Sequence, residues 1–221
     1  MAATTRLKIY NGAILLCGDQ GLASLTENRE PRYLLDEVWN DNGVRWCLEQ
    51  AQWHFAMRSS RFDYNPDVAP DWGFPRAFTK PVDWVETSGV FQDEFMRAPL
   101  LQYADEIMYW WANLDQIFVR YVSDDENYGM NLANWPATFI DMVKAYFASR
   151  IIRKLPGGAD KIDDICHPKT GVLAKATLIA KNKSAMTQPA TFPSRGTWAA
   201  ARHRGGSRTR WDGGNPNSLY G

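Results

Sequence analysis

The spacing of apolar residues changes twice along this chain of 221 residues, and these changes constrain its fold more than any other feature. Up to Met57 the apolar residues recur at intervals of three and four, the period of an amphipathic helix. Short alternating runs broken by prolines follow, and then helical spacing returns. The pattern predicts a mainly α fold with β structure: a helical bundle body (1–57 and 130–186) that carries a small β-sheet or sandwich insertion (58–129).

Two helical regions are predicted before the insertion. The first covers residues 10–18, with Gly18 placed as a C-cap. The second has Pro31 in its first turn and continues to Phe55. Residues 40–43, Asn-Asp-Asn-Gly, interrupt its pattern because these residues are poor helix formers. Either one bent helix or two helices joined by a tight turn accounts for this region.

Within the insertion the clearest prediction is a hairpin of two strands, 107–112 and 117–122. Further short strands are predicted at 91–99 and 101–107, and a single helical turn at 81–84. Apolar residues cover both faces of the second hairpin strand, which predicts a packed sheet or small sandwich. One face carries Ile117, Val119 and Tyr121, and the other carries Phe118, Arg120 and Val122.

The strongest helical pattern begins at Trp135-Pro136 and stops at Pro156. Its apolar positions follow the spacing i, i+3, i+4, i+7 and i+8: Phe139, Met142, Val143, Tyr146 and Phe147. A last helix is predicted over residues 160–185, with Ile162, Ile165, Val172, Ala176, Ile179 and Ala180 as its apolar positions. His167-Pro168 must kink or split it.

The 25 basic and 25 acidic residues cancel, but they are unevenly distributed. Residues 27–141 contain nine basic and twenty acidic residues, whereas residues 142–186 contain nine basic and three acidic ones. Such a charge dipole favours head-to-tail contact between copies, or a division between two partners, over uniform coating of nucleic acid. No signal peptide and no apolar stretch long enough to span a bilayer occurs, so we expect no membrane insertion.

The last segment, residues 187–221, is predicted to be a flexible basic arm. It is rich in Gly and Pro, has no apolar period, and cannot bury enough surface to order itself alone. Its aromatic and Arg residues are those that dominate protein interfaces, which favours docking on a partner over a solvated tail. The candidate partner-binding residues are Arg195, Trp198, Arg202, Arg204, Arg208, Arg210, Trp211 and Tyr220.

No catalytic residue, cofactor or metal site is predicted. The motifs HExxH, GxSxG, GxxxxGK[ST] and GxGxxG are absent. Cys17, Cys47 and Cys166 form no CxxC pair and are expected to be buried apolar residues. His54 is expected to be a packed, hydrogen-bonded residue at a helix end. A solvated loop is expected at residues 124–126, and an acidic first helical turn at 163–164.

Two alternative functions stay open. A tail-associated hydrolase of glycan or peptidoglycan would need paired carboxylates, for which Glu94 and Glu106 are the residues to neutralise in a test. A nucleic-acid-binding protein would use the arginines and tryptophans of the arm to contact single strands.

Several short stretches between residues 8 and 155 resemble, in order and without large gaps, the tail tubular protein A family. This family comprises the head-to-tail adaptors of short-tailed bacteriophages. The matching stretches are Asn11-Gly12-Ala13, Leu16-Cys17-Gly18, Arg32, Leu34-Leu35-Asp36, Trp39, Cys47-Leu48-Glu49-Gln50-Ala51, Trp53, Phe55-Ala56, Phe78-Thr79-Lys80-Pro81, Asp83-Trp84, Val119-Arg120-Tyr121-Val122, Trp135-Pro136, Phe139, Ala145-Tyr146 and Ala148.

The resemblance implies a helical bundle with a β insertion that assembles with itself into a dodecameric ring, between the portal protein and the tail nozzle protein. It also implies a C-terminal segment that reaches into the portal, and genomic DNA that passes through the channel without sequence recognition. The expected location is the tail or neck of the virion, after synthesis in the host cytoplasm.

Overall fold

The computed structural model of the protein describes residues 5–70, 72–155 and 158–187. Over these residues the chain forms six α-helices and two three-stranded antiparallel sheets, so the predicted class, a helical body with a small β insertion, is confirmed. All described residues belong to one compact unit. The unit contains two hydrophobic clusters, one among the helices and one between the sheets. Except for Thr187, the predicted arm lies outside the described residues.

The first helix, α1 (Arg6–Cys17), begins earlier than predicted because Thr5 caps it. The Thr5 hydroxyl accepts a hydrogen bond from the Lys8 amide and so satisfies one of the free donors at a helix start. Gly18 ends the helix with φ of 78°, the left-handed conformation that glycine adopts without strain. The predicted C-cap at Gly18 is therefore confirmed.

The second helical region is two helices, α2 (Glu30–Asn40) and α3 (Gly43–Leu48). The tight turn between them is the second of the two predicted alternatives. Asn42 makes this turn with φ of 58°, a conformation that Asn tolerates better than most residues. Gly43 follows in a tight space, because an added Cβ would lie 2.5 Å from the Val38 carbonyl oxygen.

The prediction that this region stays helical to Phe55 is wrong. Helix α3 ends at Leu48, and the chain then folds back so that Trp53 is buried. The Trp53 indole N–H donates a hydrogen bond to the Cys47 carbonyl at 3.0 Å, which satisfies an acceptor that the end of the helix leaves free. Phe55 lies in a single 3-10 turn, His54–Ala56.

The strongest predicted helix is α4 (Ala137–Ile151), which forms the centre of the bundle. It starts after Pro136, as predicted, and ends earlier than the predicted stop at Pro156. The chain turns away after Ile151 because Ile152 and Leu155 fold back into the helical cluster. Buried side chains surround its whole circumference, as expected for a central helix. They are Phe139, Met142, Val143, Ala145, Phe147, Ala148 and Ile151.

The last predicted helix is split into α5 (Ile162–Cys166) and α6 (Val172–Thr187). The split falls at His167-Pro168, as expected from the missing amide hydrogen of proline. The prediction that Ile179 faces the core is wrong, since 57% of its surface is exposed, whereas Ala180 beside it is buried.

Six strands form the insertion, in two sheets of order β1-β6-β3 and β2-β5-β4. Their inward residues share one core, which includes Phe78, Val90, Trp110, Ile117 and Val119, so the predicted small sandwich is confirmed. The strands are β1 (Met57–Asp63), β2 (Arg76–Thr79), β3 (Trp84–Phe91), β4 (Ala104–Asp105), β5 (Tyr109–Ala112) and β6 (Gln116–Ser123).

The predicted hairpin is wrong, although both of its strands exist. Strand β5 pairs with β2 and β4, whereas β6 pairs with β1 and β3 in the other sheet. The residues between them therefore cross from one sheet to the other. Both strands place large residues, Trp110 and Ile117 among them, on opposite sides of the shared core, which a flat hairpin could not do.

Three shorter predictions in the insertion also need correction. Residues 92–98 form a turn rather than a strand, because the Asp93 carboxylate accepts hydrogen bonds from the amides of Arg97 and Ala98. Of the predicted strand 101–107, only Ala104–Asp105 pairs with a neighbour. Residues 81–84 make one turn, closed by the Trp84 amide and the Pro81 carbonyl, and not a helix.

The insertion and the bundle share packed residues. Val85 of β3 and Val122 of β6 belong to the helical cluster. Arg45 of α3 donates hydrogen bonds to the Asp124 carboxylate at 2.6 Å and to the Trp84 carbonyl at 2.7 Å. These contacts fix the sandwich on the end of the bundle.

Candidate functional site

The predicted portal-docking residues of the arm all lie outside the described residues. Their assignment therefore stays a prediction. The residues concerned are Arg195, Trp198, Arg202, Arg204, Arg208, Arg210, Trp211 and Tyr220. The structure describes the helix from which the arm starts, because α6 continues to Thr187.

The two described histidines, His54 and His167, make hydrogen bonds and ring contacts only with neighbouring residues within the described part of the chain. His54 is exposed, with its ring edge-on to Phe55, so the prediction of a packed, hydrogen-bonded residue is wrong. His167 Nδ1 accepts a hydrogen bond from the Thr170 amide at 3.1 Å and shapes the turn after α5. His203 lies outside the described residues.

The acidic clusters have structural roles. Asp124 pairs with Arg45, so the prediction of a solvated loop is wrong at that residue, whereas Glu126 is exposed. Asp163 and Asp164 occupy the first turn of α5, as predicted. Among the described residues, no group of three or more His, Cys, Asp or Glu side chains is placed to hold a metal ion.

The two carboxylates considered for glycan hydrolysis lie in different turns of the insertion. Glu94 is exposed in the turn after β3. Glu106 Oε2 accepts a hydrogen bond from the Trp111 indole at 2.7 Å. No helix within the described ranges is long and apolar enough to cross a membrane.

The prediction of buried cysteines is confirmed for two of the three. Cys17 and Cys47 are buried, and Cys166 is half-buried. Burial raises the pKa of the Cys17 thiol to about 11, and burial also raises the pKa of Cys47. Both thiols are therefore protonated at neutral pH and poorly nucleophilic.

Asp83 is the centre of a polar cluster beside the joint between the bundle and the insertion. Its carboxylate accepts hydrogen bonds from the Arg58 guanidinium at 2.8 Å and from the Ser123 hydroxyl, and the Tyr121 hydroxyl lies 3.3 Å away. Burial opposes ionisation of Asp83, but the hydrogen bonds from Ser123 and Arg58 outweigh it and lower its pKa. The cluster is a satisfied structural network that holds β1, β3 and β6 together.

Glu86 is the exception among the buried polar groups. Its Oε2 atom is buried and has no hydrogen-bond partner within the described part of the chain. Burial and the nearby Glu49 carboxylate raise the pKa of Glu86, and the positive charge of Lys181 on α6 acts against this rise.

Helix α6 presents an exposed apolar and basic face, which we call the α6 face. The helix contains three lysines and no acidic residue. Leu178 is 60% exposed and Met186 is 82% exposed, and the α6 face also includes Lys175, Ile179 and Lys183. Sequence reasoning missed this surface. The absence of acidic residues from α6 was the sequence signal that could have indicated it.

Helix α2 presents an acidic face next to a small cleft, which together we call the α2 face. Glu30, Glu37 and Asp41 are exposed on this side of the helix, with Tyr33 between them. The cleft has a volume of about 170 Å³. It is lined by Leu34, Glu37, Val38, Asp41, Arg150, Ile151 and Lys154.

A third surface is an open groove between α3, the end of α4 and α6. One wall is the stacked pair of Trp46 and Tyr146, whose ring centroids are 4.0 Å apart. Arg150 and Arg153 also line the groove and make no ion pair with any described residue.

The insertion exposes apolar side chains at the turn between β4 and β5, which we call the β tip. Ile107 is 86% exposed and Met108 is 61% exposed. Such side chains next to each other on a turn are typical of a contact with another protein.

Comparisons with known proteins do not identify the chain. No protein-family model matches it, and no curated protein matches it.

Proposed function

We propose that this protein is a head-to-tail adaptor of a short-tailed bacteriophage. In this proposal copies of the chain form a ring between the portal and the tail nozzle, and DNA passes through the ring during ejection. The C-terminal arm docks on the portal, and the β tip faces the nozzle. The protein has a structural role in the virion and no catalytic one.

The observation that carries the proposal is the order of the fold along the chain. A helical bundle is interrupted by a small sandwich and then completed, which is the architecture that the family resemblance implies. The resembling stretches also occupy positions that hold this architecture together. Asp36 accepts hydrogen bonds from Arg6 and Arg32, and Asp83 joins three strands of the insertion.

The exposed surfaces support a role with several partners. Helix α6 runs directly into the basic arm, and the β tip and the acidic α2 face lie on other elements. The acidic segment 27–141 would repel phosphate wherever it faced the channel, so that DNA could slide.

Removal of residues 188–221 tests the proposed role of the arm. We expect the truncated protein to keep its helical content and melting temperature, because both hydrophobic clusters lie within residues 5–187. We expect it to lose binding to purified portal rings in a pull-down. Electron micrographs of the full-length protein mixed with portal should show a coaxial ring, which the truncated protein should not form.

A full-length variant with Trp198→Ala and Trp211→Ala is the matched control for chain length. It should bind the portal more weakly than wild type because aromatic anchors dominate interface energies. Binding of the truncated protein at wild-type affinity would disprove the docking role of the arm.

A further inference from the structure

We propose that the α6 face of one copy binds the α2 face of the next copy, and that this contact builds the ring. The inference rests on the proposed function, because it names the surfaces through which copies of an adaptor would join. It concerns a contact between identical chains that needs neither the portal nor the nozzle.

The α6 face supplies apolar side chains that remain more than half exposed. Leu178, Ile179 and Met186 are 60%, 57% and 82% exposed. They recur at the spacing of one side of a helix and lie on the same side as Lys175. An exposed apolar stripe of this kind on a helix is typical of a binding surface.

The α2 face supplies a matching receptor. Leu34, Val38 and the buried Ile151 form the apolar part of the cleft of about 170 Å³. One branched or linear apolar side chain from α6 can enter this cleft and lose its contact with water, which is favourable.

The charges of the two faces are complementary. Glu30, Glu37 and Asp41 on the α2 face form no ion pair with a described residue, and the same holds for Lys175 and Lys183 on the α6 face. Arg150 of α4 and Lys154, which follows α4, also line the cleft. The lysines of a neighbouring α6 would therefore approach from the side of Glu30 and Glu37.

The two faces lie on different helices, which contact α4 at different points. Helix α2 packs on Phe147 of α4 through Trp39, with ring centroids 5.9 Å apart. Helix α6 meets α4 at Thr138, where Ala180 and Ser184 line the same small cavity. Thr138 and Phe147 are about two and a half helical turns apart, so they point in opposite directions from α4.

A contact between two different faces of identical copies is heterologous. It repeats from one copy to the next and closes into a ring when the rotation between copies allows. Within one chain the α6 face remains exposed, so the chain does not cover it with its own α2 face.

Reciprocal charge reversal tests the contact. The first variant carries Lys175→Glu and Lys183→Glu, and the second carries Glu30→Lys and Glu37→Lys. We expect the wild-type protein to associate at low salt and high concentration in analytical ultracentrifugation. Each variant alone should sediment as a monomer, because both of its faces then carry the same sign of charge.

An equal mixture of the two variants should associate again, because each reversed face meets its complement on the other variant. The control is Asp67→Lys with Glu126→Lys, which reverses two exposed charges on the insertion and should associate like wild type. Circular dichroism checks that every variant is folded.

A mixture that stays monomeric would overturn the proposal, as would a wild-type protein that never associates. A mixture that forms only dimers would also overturn the proposal. Two copies would then pair through identical faces, and not through the α6 face of one and the α2 face of the other. Both variants keep the arm unchanged, so both should still bind the portal in a pull-down. This measurement distinguishes failure of the contact between copies from failure of the proposed function. A wild-type protein that does not bind the portal would disprove the adaptor role, but it would not contradict the contact between copies.

Discussion

Asp83 is the residue that makes the most polar contacts in the cluster beside the joint, all of them to residues of the insertion. Its carboxylate contacts Arg58 of β1 and both Tyr121 and Ser123 of β6, and its carbonyl accepts the Asp124 amide. A half-buried charge with this many partners is stabilising only while all of them remain in place.

Replacement Asp83→Asn should reduce the free energy of unfolding near neutral pH by about 1–3 kcal/mol, because Arg58 loses its charged partner. The folded pKa of Asp83 is lowered below its ordinary value of 3.8. Its stabilising contribution is therefore full above that pH and is lost as the pH falls through the folded pKa. Urea unfolding at neutral and strongly acidic pH measures this difference, which should shrink in acid.

Asp67→Asn is the matched control, because Asp67 is exposed and its side chain pairs with no basic group. It should leave the unfolding free energy unchanged at both pH values. An equal effect of the two substitutions would contradict the role of Asp83.

Glu86→Gln should raise the free energy of unfolding near neutral pH, by up to about 1 kcal/mol, because it removes an unpaired and partly buried negative charge. The folded pKa of Glu86 is raised, so its ionised form destabilises the fold at neutral pH, and protonation relieves this as the pH falls. Thermal melting should therefore show a benefit at neutral pH that disappears in acid. Glu94→Gln, at an exposed position, should show none, and a Glu86→Gln variant that melts lower at neutral pH would contradict the prediction.

At the level of elements, the corner between α2 and α3 sets how the second helix meets α4. Asn42 and Gly43 turn the chain within two residues, and Gly43 then packs against Phe147. The corner therefore places Val44, Cys47 and Leu48 in the helical cluster.

Gly43→Ala should destabilise the protein by about 1–3 kcal/mol, the usual cost of overpacking. The added Cβ would lie 2.5 Å from the Val38 carbonyl oxygen and 3.1 Å from the Phe147 ring. Gly21→Ala is the control, because its Cβ would meet only Asn11 at 3.4 Å. Urea unfolding should separate the two variants, and equal midpoints would contradict the close packing at Gly43.

At the scale of the whole molecule, some exposed apolar residues form the surfaces named above, whereas others, such as Leu15, Trp72 and Phe95, lie elsewhere. The β tip, the α6 face and the cleft of the α2 face lie on different elements. The adaptor proposal requires separate surfaces, because in it each subunit joins its own copies and two other rings.

Ile107→Ser with Met108→Ser should weaken binding to the tail nozzle by about tenfold, since removal of apolar anchors at an interface commonly costs more than 1 kcal/mol. Melting temperature should not change, because both side chains are largely exposed. Surface plasmon resonance on immobilised nozzle measures the affinity. Leu15→Ser on α1, where the side chain is 75% exposed, is the control, and an equal loss of affinity there would rule out a specific role of the β tip.

Much of the local structure was predictable from the sequence because its causes are local. Gly18 ends α1, proline starts α4 and splits α5 from α6, and the spacing of Phe139 to Phe147 predicts the amphipathic helix found there. The candidate site was predictable only in part. The arm residues remain a prediction, and the α6 face was missed because apolar period alone cannot tell which side of a helix its neighbours cover.

The sequence by itself determined the order of helical and β regions and several helix ends, since period, caps and prolines act over a few residues. Only the tertiary structure decided that β5 and β6 belong to different sheets, because strand pairing depends on partners far away in the chain. Only the tertiary structure decided that Ile179 faces outward, because α4 covers a single side of α6. The surfaces proposed here for assembly result from these long-range choices, in which apolar residues that the core does not reach remain available to a partner.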